Sequence, residues 1–208
     1  TPEAFARAFR EITDASPSEL RGDAGRLALA RDRLDGRRAA ARAPAALRVD
    51  VVSVEPFEVV ALRNRGAFDG LDQAYARLFA WAGEAGLVES IVGLHGVPHG
   101  DHRDLPPEQY EFDCGIRLAV PADPPAPARV LRIGGGDYAR ARHLGAYRDL
   151  EALVDAVLAE WLPQSGHALR DAPIHFDFLD DPEVVPEALL RADAFVPVVP
   201  VAELPAHA

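Results

Sequence analysis

The chain has no lysine, no methionine and a single cysteine, Cys114, among its 208 residues. One cysteine excludes an internal disulfide and points to a reducing, cytoplasmic setting. Because all 22 basic residues are arginine, no Lys-Ser/Thr pair completes a phosphate loop at Gly134-Gly135-Gly136, which reads instead as a tight turn into a strand. With no methionine, Thr1 is expected to be either a processed start or the cut edge of a longer protein. Aliphatic hydroxyls are confined to Thr1, Thr13, Ser16, Ser18, Ser53, Ser90 and Ser165. None sits in a strand-turn-helix elbow. Cys114 lies in an apolar strand, where its thiol is expected to be protonated and inert. Covalent catalysis is therefore not expected. No apolar run is long enough to span a membrane, and no signal peptide is evident.

Charge is unevenly spread. Residues 1–48 hold ten arginines and seven acids, whereas the remainder holds twelve arginines and twenty-six acids, and the net charge is −11. An acidic body repels phosphate backbones, so residues 49–208 suit a neutral or cationic small molecule better than nucleic acid. The length fits one full domain with an appendage.

What the chain does have is a repeat. Arg63-Asn64-Arg65-Gly66-Ala67-Phe68-Asp69-Gly70-Leu71 returns as Arg142-His143-Leu144-Gly145-Ala146-Tyr147-Arg148-Asp149-Leu150. Arg142 stands 79 residues after Arg63, and the same offset relates the Gly66, Phe68 and Leu71 positions to their copies. A strand-like run precedes each copy and an amphipathic helical pattern follows it, over 69–85 and 148–161. In the first of these, Leu71, Tyr75, Leu78, Phe79 and Ala82 fall on one stripe. Strands are expected over 49–54, 58–63, 91–94 and 112–120, then over 137–143, 174–179 and 194–199. A proline-rich connector, 121–127, joins the halves. The expected fold is α+β, two strand-helix-strand-strand repeats whose seam is a natural place for a pocket.

Upstream, Thr1-Pro2-Glu3 opens like a helix, with Phe5, Phe9 and Ile12 on one face. Ser16-Pro17-Ser18-Glu19 is a capping box for a second short helix. Residues 22–46 read as a partly helical linker.

Several separated motifs together carry a family resemblance. They are Ile133-Gly134-Gly135-Gly136-Asp137-Tyr138-Ala139, the second copy from Arg142 to Tyr147, and Trp161-Leu162-Pro163-Gln164-Ser165-Gly166. Arg63, Gly66, the helix ending near Trp81, Gly86-Leu87 and a closing Arg191-Ala192-Asp193 before Val196-Pro197-Val198 add to them. This pattern resembles the gyrase-inhibitor-like (GyrI-like, SHS2-type) effector-binding domain, over about 47–202. The resemblance implies a pseudo-twofold and a ligand groove between the repeats. Residues 1–21 resemble the end of an AraC-type helix-turn-helix DNA-binding domain, so the whole looks like the C-terminal portion of an AraC-type transcription regulator. In an intact parent Arg7 and Arg10 would face the DNA, and residues 1–21 alone would not hold a recognition helix in a groove. Pairing with a second copy is left open.

Candidate ligand-binding residues follow. Phe68 and Tyr147 occupy matching places at the two helix starts, and Phe112, Phe176 and Phe178 lie on predicted inner strands. Aromatic walls offer flat, rigid apolar area; core packing explains any single ring better, and only as a set near a duplicated groove do they favour a site. The family typically carries a glutamate in the strand that here reads Pro173-Ile174-His175-Phe176-Asp177-Phe178-Leu179. Register puts Phe176 at that position and Asp177 on the other face, unless a bulge turns Asp177 inward as a cation anchor. His95, His99, Asp101 and His102 fit no zinc spacing and are expected in a solvated loop. No metal, cofactor or catalytic residue is assigned. The expected function is ligand sensing. The alternatives are hydrolysis of reactive compounds, as in some GyrI-like proteins, drawing on Asp177, Glu111 or Asp113, and simple sequestration of a compound.

Overall fold

In a computed structural model of the chain, nine strands pair among the described residues: β1 (Val49–Val54), β2 (Phe57–Arg65), β3 (Ile91–His99), β4 (Glu111–Leu118), β5 (Arg129–Ile133), β6 (Gly136–Leu144), β7 (His167–Leu169), β8 (His175–Phe178) and β9 (Arg191–Pro200). The described residues are 47–100 and 105–203. Arg7, Arg10, the N-terminal helices and the linker lie outside them, as do Asp101 and His102. Helix α1 (Leu71–Glu84) follows β2 and helix α2 (Leu150–Ala156) follows β6, each entered through a short 3₁₀ turn that begins at Phe68 or Tyr147.

The strand order is β1-β6-β9-β8-β3-β4-β2-β5, with β7 added on β9, and the pairing is antiparallel throughout. Exchanging β1 with β5, β2 with β6, β3 with β8 and β4 with β9, and reading backwards, returns the same order. The duplicated α+β architecture expected from the sequence is thus present, with one addition. Each repeat has a leading strand that crosses to the other repeat: β1 pairs with β6, and β5 pairs with β2. The short Arg-Val-Leu-Arg-Ile run of β5 follows the proline-rich connector and carries only a weak strand signal of its own.

This exchange forces the sheet to curl. β1 and β2 stand six strand spacings apart in the order, roughly 29 Å if the sheet were flat. Yet only Glu55 and Pro56 join them, a reach of about 11 Å. The concave side is identified by ring contacts: Phe57 on β2 lies 6.0 Å from His175 on β8, although two strands separate them. Val59, Ala61, Val97 and Ile133 fill this interior, and Phe57 and Leu131 pack against them.

The convex side carries both helices. Ala74, Leu78 and Ala82 of α1 and Leu150 and Val154 of α2 share one core with Val60, Leu62, Cys114, Ile116, Ala139, Ala141, Ala194 and Val196. Burying Leu78 alone contributes about 2 kcal/mol. Because both faces are covered, Val59 to Leu62 and Ala192 to Val198 are buried without alternation.

Two expectations are corrected here. The helix expected over 148–161 is α-helical only to Ala156. A π turn, Val157–Trp161, and a 3₁₀ turn, Leu162–Gln164, complete it, because Pro163 cannot donate to a carbonyl four residues back. Secondly, His95 and His99 are not in a solvated loop, since β3 runs through them to His99. Two glycines of β3 are packing positions. A Cβ on Gly93 would lie 3.0 Å from His95 Nε2, and one on Gly96 would lie 2.4 Å from Phe112 Cζ. The triple glycine leads into a strand: Gly134 and Gly135 link β5 to β6, Gly136 opens β6, and the three have φ of +89°, +89° and +96°.

Candidate functional site

The pseudo-twofold passes between β3 and β8, and on the convex side of that seam the aromatic residues converge. Phe176 and Phe178 alternate with Asp177 on β8, so both rings face the helices. Phe112 of β4 stacks with Phe176 of β8 at 6.4 Å, and the missing side chain of Gly96 on β3 leaves room for the rings of Phe112 and Phe178. Phe112 and Phe176 are buried and form the floor. Above them the walls are half-buried. Phe178 lies 6.1 Å from Tyr75 of α1 and 4.8 Å from Tyr147 at the start of α2. Phe68, at the matching start of α1, lies 5.8 Å from Phe112 and 5.2 Å from Tyr110.

Hydrogen bonds hold the two tyrosines. Tyr75 donates to the His95 carbonyl at 2.6 Å, and burial pushes its hydroxyl well above the ordinary range. Tyr147 donates to the Asp180 carbonyl at 2.7 Å, which joins the second repeat's helix to the end of β8. Five residues expected at the seam, Phe68, Phe112, Tyr147, Phe176 and Phe178, are therefore brought together there. Tyr75 and Gly96 join them. Tyr75 was visible only as one member of the helical stripe, and Gly96 carried no signal of its own.

Asp177 does not join them. The β3–β8 and β8–β9 ladders run in regular register, so no bulge turns it round. It points into the curl, with Oδ1 2.5 Å from His95 Nδ1. Around this pair lie Phe57, 4.9 Å from His95, and His175, which stacks on Phe195 at 4.6 Å and meets Tyr138 edge-on. Burial of His175 lowers its pKa to about 4; nearby His95 adds to this, and Asp177 opposes it.

The repeated arginines do structural work. Arg63 Nε and Nη2 donate to the two oxygens of Asp113 at 2.7 and 3.0 Å. Arg142 grips Asp193 by the same two nitrogens. In the first repeat, Arg129 at 2.6 Å and His99 at 2.7 Å also reach Asp113, and Glu111 pairs with Arg63. Burial alone would raise the Asp113 carboxyl, but bonds from Arg63, Arg129 and His99 outweigh it and hold the pKa at about 2. Cys114 is buried in β4, and desolvation, with Asp113 nearby, pushes its thiol up to about 12. Among the described residues no group of three His, Cys, Asp or Glu side chains is placed to hold a metal, and no helix is long and apolar enough to cross a membrane.

Two cavities lie away from the seam. One, of about 330 Å³, sits between β2 and α1 beside Arg63, Arg65 and Arg77. The other, of about 440 Å³, sits between β2 and β4. The seam itself is an aromatic-walled surface between the two helices.

Comparison with known proteins agrees with the fold. The profile of the GyrI-like small-molecule binding domain matches residues 48–199. A protein of Escherichia coli strain K12, described as a probable transcriptional regulator YgiV, is 31% identical over 154 residues, which cover 73% of this chain and 96% of that protein. Among solved structures, a hydrolase from Listeria innocua shares the fold with a TM-score of 0.60 at 14% identity, over 78% of this chain and 97% of that one. The C-terminal domain of EcmrR shares it with a TM-score of 0.57 at 13% identity, over 75% and 99%.

Proposed function

The chain belongs to the GyrI-like small-molecule binding domain family, and from that premise we propose that residues 47–202 are the ligand-sensing part of a transcription regulator. The ligand is a small hydrophobic, aromatic molecule lying between α1 and α2 over the seam. The carrying observation is the convergence of Phe68, Tyr75, Phe112, Tyr147 and Phe178 from both repeats on one strip of surface, with Phe176 beneath. Rings from both halves give a flat guest contact with each half, so its affinity differs between two arrangements of the repeats. In an intact regulator that difference biases DNA binding through the region containing Arg7 and Arg10, with 22–46 as the link. The E. coli relative's description supports the regulatory reading.

The guest is neutral in this account. Asp177 faces the other side of the sheet and pairs with His95, so β8 supplies no carboxylate to the groove. The acids considered for hydrolysis are likewise engaged: Asp113 with Arg63, Arg129 and His99, and Glu111 with Arg63. Binding is therefore the reading that the geometry supports over turnover.

Calorimetric titration tests this with two probes of similar shape, neutral triphenylphosphine oxide and cationic tetraphenylphosphonium. The neutral probe is expected to bind at least as tightly as the cation. Phe178→Ala should weaken it at least about tenfold, the worth of one buried ring. Asp177→Asn should change either affinity less than about twofold. Unchanged binding in Phe178→Ala, or a large selective loss of the cation in Asp177→Asn, would contradict the reading.

A further inference from the structure

The 440 Å³ cavity lies where the sheet comes apart. The β2–β4 ladder runs from Arg65–Glu111 to Val60–Ile116 and stops there. Beyond that rung β2 continues to Phe57 paired only with β5, and β4 continues to Leu118 paired only with β3. The next rungs would have matched 56–59 with 117–120, and these residues line the cavity. The hollow thus fills a wedge of missing strand pairing on one side of the molecule, away from the convex seam.

Its chemistry differs from that of the aromatic groove. The Arg117 guanidinium lies over the Phe57 ring, 4.6 Å from its centre, and a guanidinium held on a ring face can still donate from its N–H edges. Arg132 lines the same cavity from β5, opposite Glu58 in register. Among the described residues neither Arg117 nor Arg132 pairs with a carboxylate. Two arginines against one glutamate give this wedge a positive balance in a chain whose net charge is −11. Val120 and Val130 supply apolar wall. A fixed guanidinium edge beside apolar wall matches a planar anion attached to a flat apolar body.

We infer that the splay between β2 and β4 is a second binding site, for a small amphipathic carboxylate held by Arg117 and Arg132. Phe57 and the two valines receive its apolar part. Glu58 tunes the affinity, because it is the one acid among the lining residues and stands opposite Arg132 in register.

Cinnamate and its uncharged analogue cinnamyl alcohol test the site by nuclear magnetic resonance titration at low ionic strength. Cinnamate is expected to saturate at millimolar concentrations and to shift the backbone signals of 56–60 and 117–120. The alcohol should bind at least about tenfold more weakly. Arg117→Gln should lose at least about tenfold in cinnamate affinity with its melting temperature unchanged, Arg132→Gln should lose several-fold, and Glu58→Gln should tighten binding. If Arg117→Gln unfolds the chain, the Arg132→Gln and Glu58→Gln shifts in opposite directions carry the test. Equal binding of acid and alcohol, full affinity in Arg117→Gln and Arg132→Gln, or shifts confined to seam residues would overturn the proposal.

Discussion

Replacing Gly96 with alanine is expected to cost about 2 kcal/mol of stability and to weaken guest binding in the groove at least about tenfold. The new Cβ would sit 2.4 Å from Phe112 Cζ and 3.0 Å from Phe178 Cε2. Neither ring has a free retreat. Phe112 is held between Phe176 and Phe68, and Phe178 between Tyr75 and Tyr147. The movement that relieves the clash therefore displaces the floor and wall of the proposed site together. Glycine's entropic cost in a strand offsets part of the penalty, which is why about 2 kcal/mol is expected rather than the upper end of overpacking. Thermal unfolding and calorimetry with triphenylphosphine oxide check both parts. Gly93→Ala is the comparison, since its Cβ meets His95 inside the curl instead. That variant is expected to lose stability with groove affinity retained. A Gly96→Ala protein that melts and binds like the parent would show that the rings are not packed as described.

The second large effect is acid lability in two separable steps. His175 is 1% exposed and its folded pKa is about 4, below the ordinary value of 6.5. The unfolded chain therefore takes up a proton before the folded one does. The stability is full above about pH 6.5, falls with pH, and the loss is complete near pH 4, at about 3 kcal/mol. Asp113 works at lower pH. Its folded pKa of about 2 lies below the ordinary 3.8, so it contributes about 2 kcal/mol above about pH 4 that is lost as pH falls through 2. Both losses run in the same direction, and substitution divides them. His175→Phe keeps a ring against Phe195 and should flatten the upper step. Asp113→Asn should remove the lower step, at a cost of about 3 kcal/mol at neutral pH, because Arg63, Arg129 and His99 lose the carboxylate that joins them. Denaturant unfolding from pH 7 to pH 2 reads both. A parent-like pH profile in His175→Phe would contradict the buried, neutral imidazole.

Parts of this were legible in the sequence for identifiable reasons. The duplication showed because its turns need glycine: Gly66 and Gly145 have φ of +107° and +132°, which side chains rarely adopt. Phe68 and Tyr147 stand at matching helix starts because they hold fixed places after those turns. The side taken by Asp177 followed from strand parity, and regular ladders kept that parity. What escaped was long-range. Nothing in the local pattern of β1 or β5 says that each pairs with the opposite repeat, since that choice rests on burying a shared interior. His95 was misplaced because the expected strand stopped at Leu94, and nothing local shows that β3 runs on to His99 or that Gly96 is a slot for the rings of Phe112 and Phe178. Tyr75 was seen as a helix-stripe residue, but its contact with Phe178 depends on how α1 lies over β8, which periodicity does not specify.

The central claim is that a guest lies over the seam, touching both repeats. A crystal structure of the protein with triphenylphosphine oxide tests it most directly. The probe is expected between α1 and α2, in contact with Phe178 and with Tyr75 and Tyr147 on either side, and with no contact to Asp177. A probe lodged inside the curl beside Asp177 and His95, or bound to one repeat alone, would contradict it.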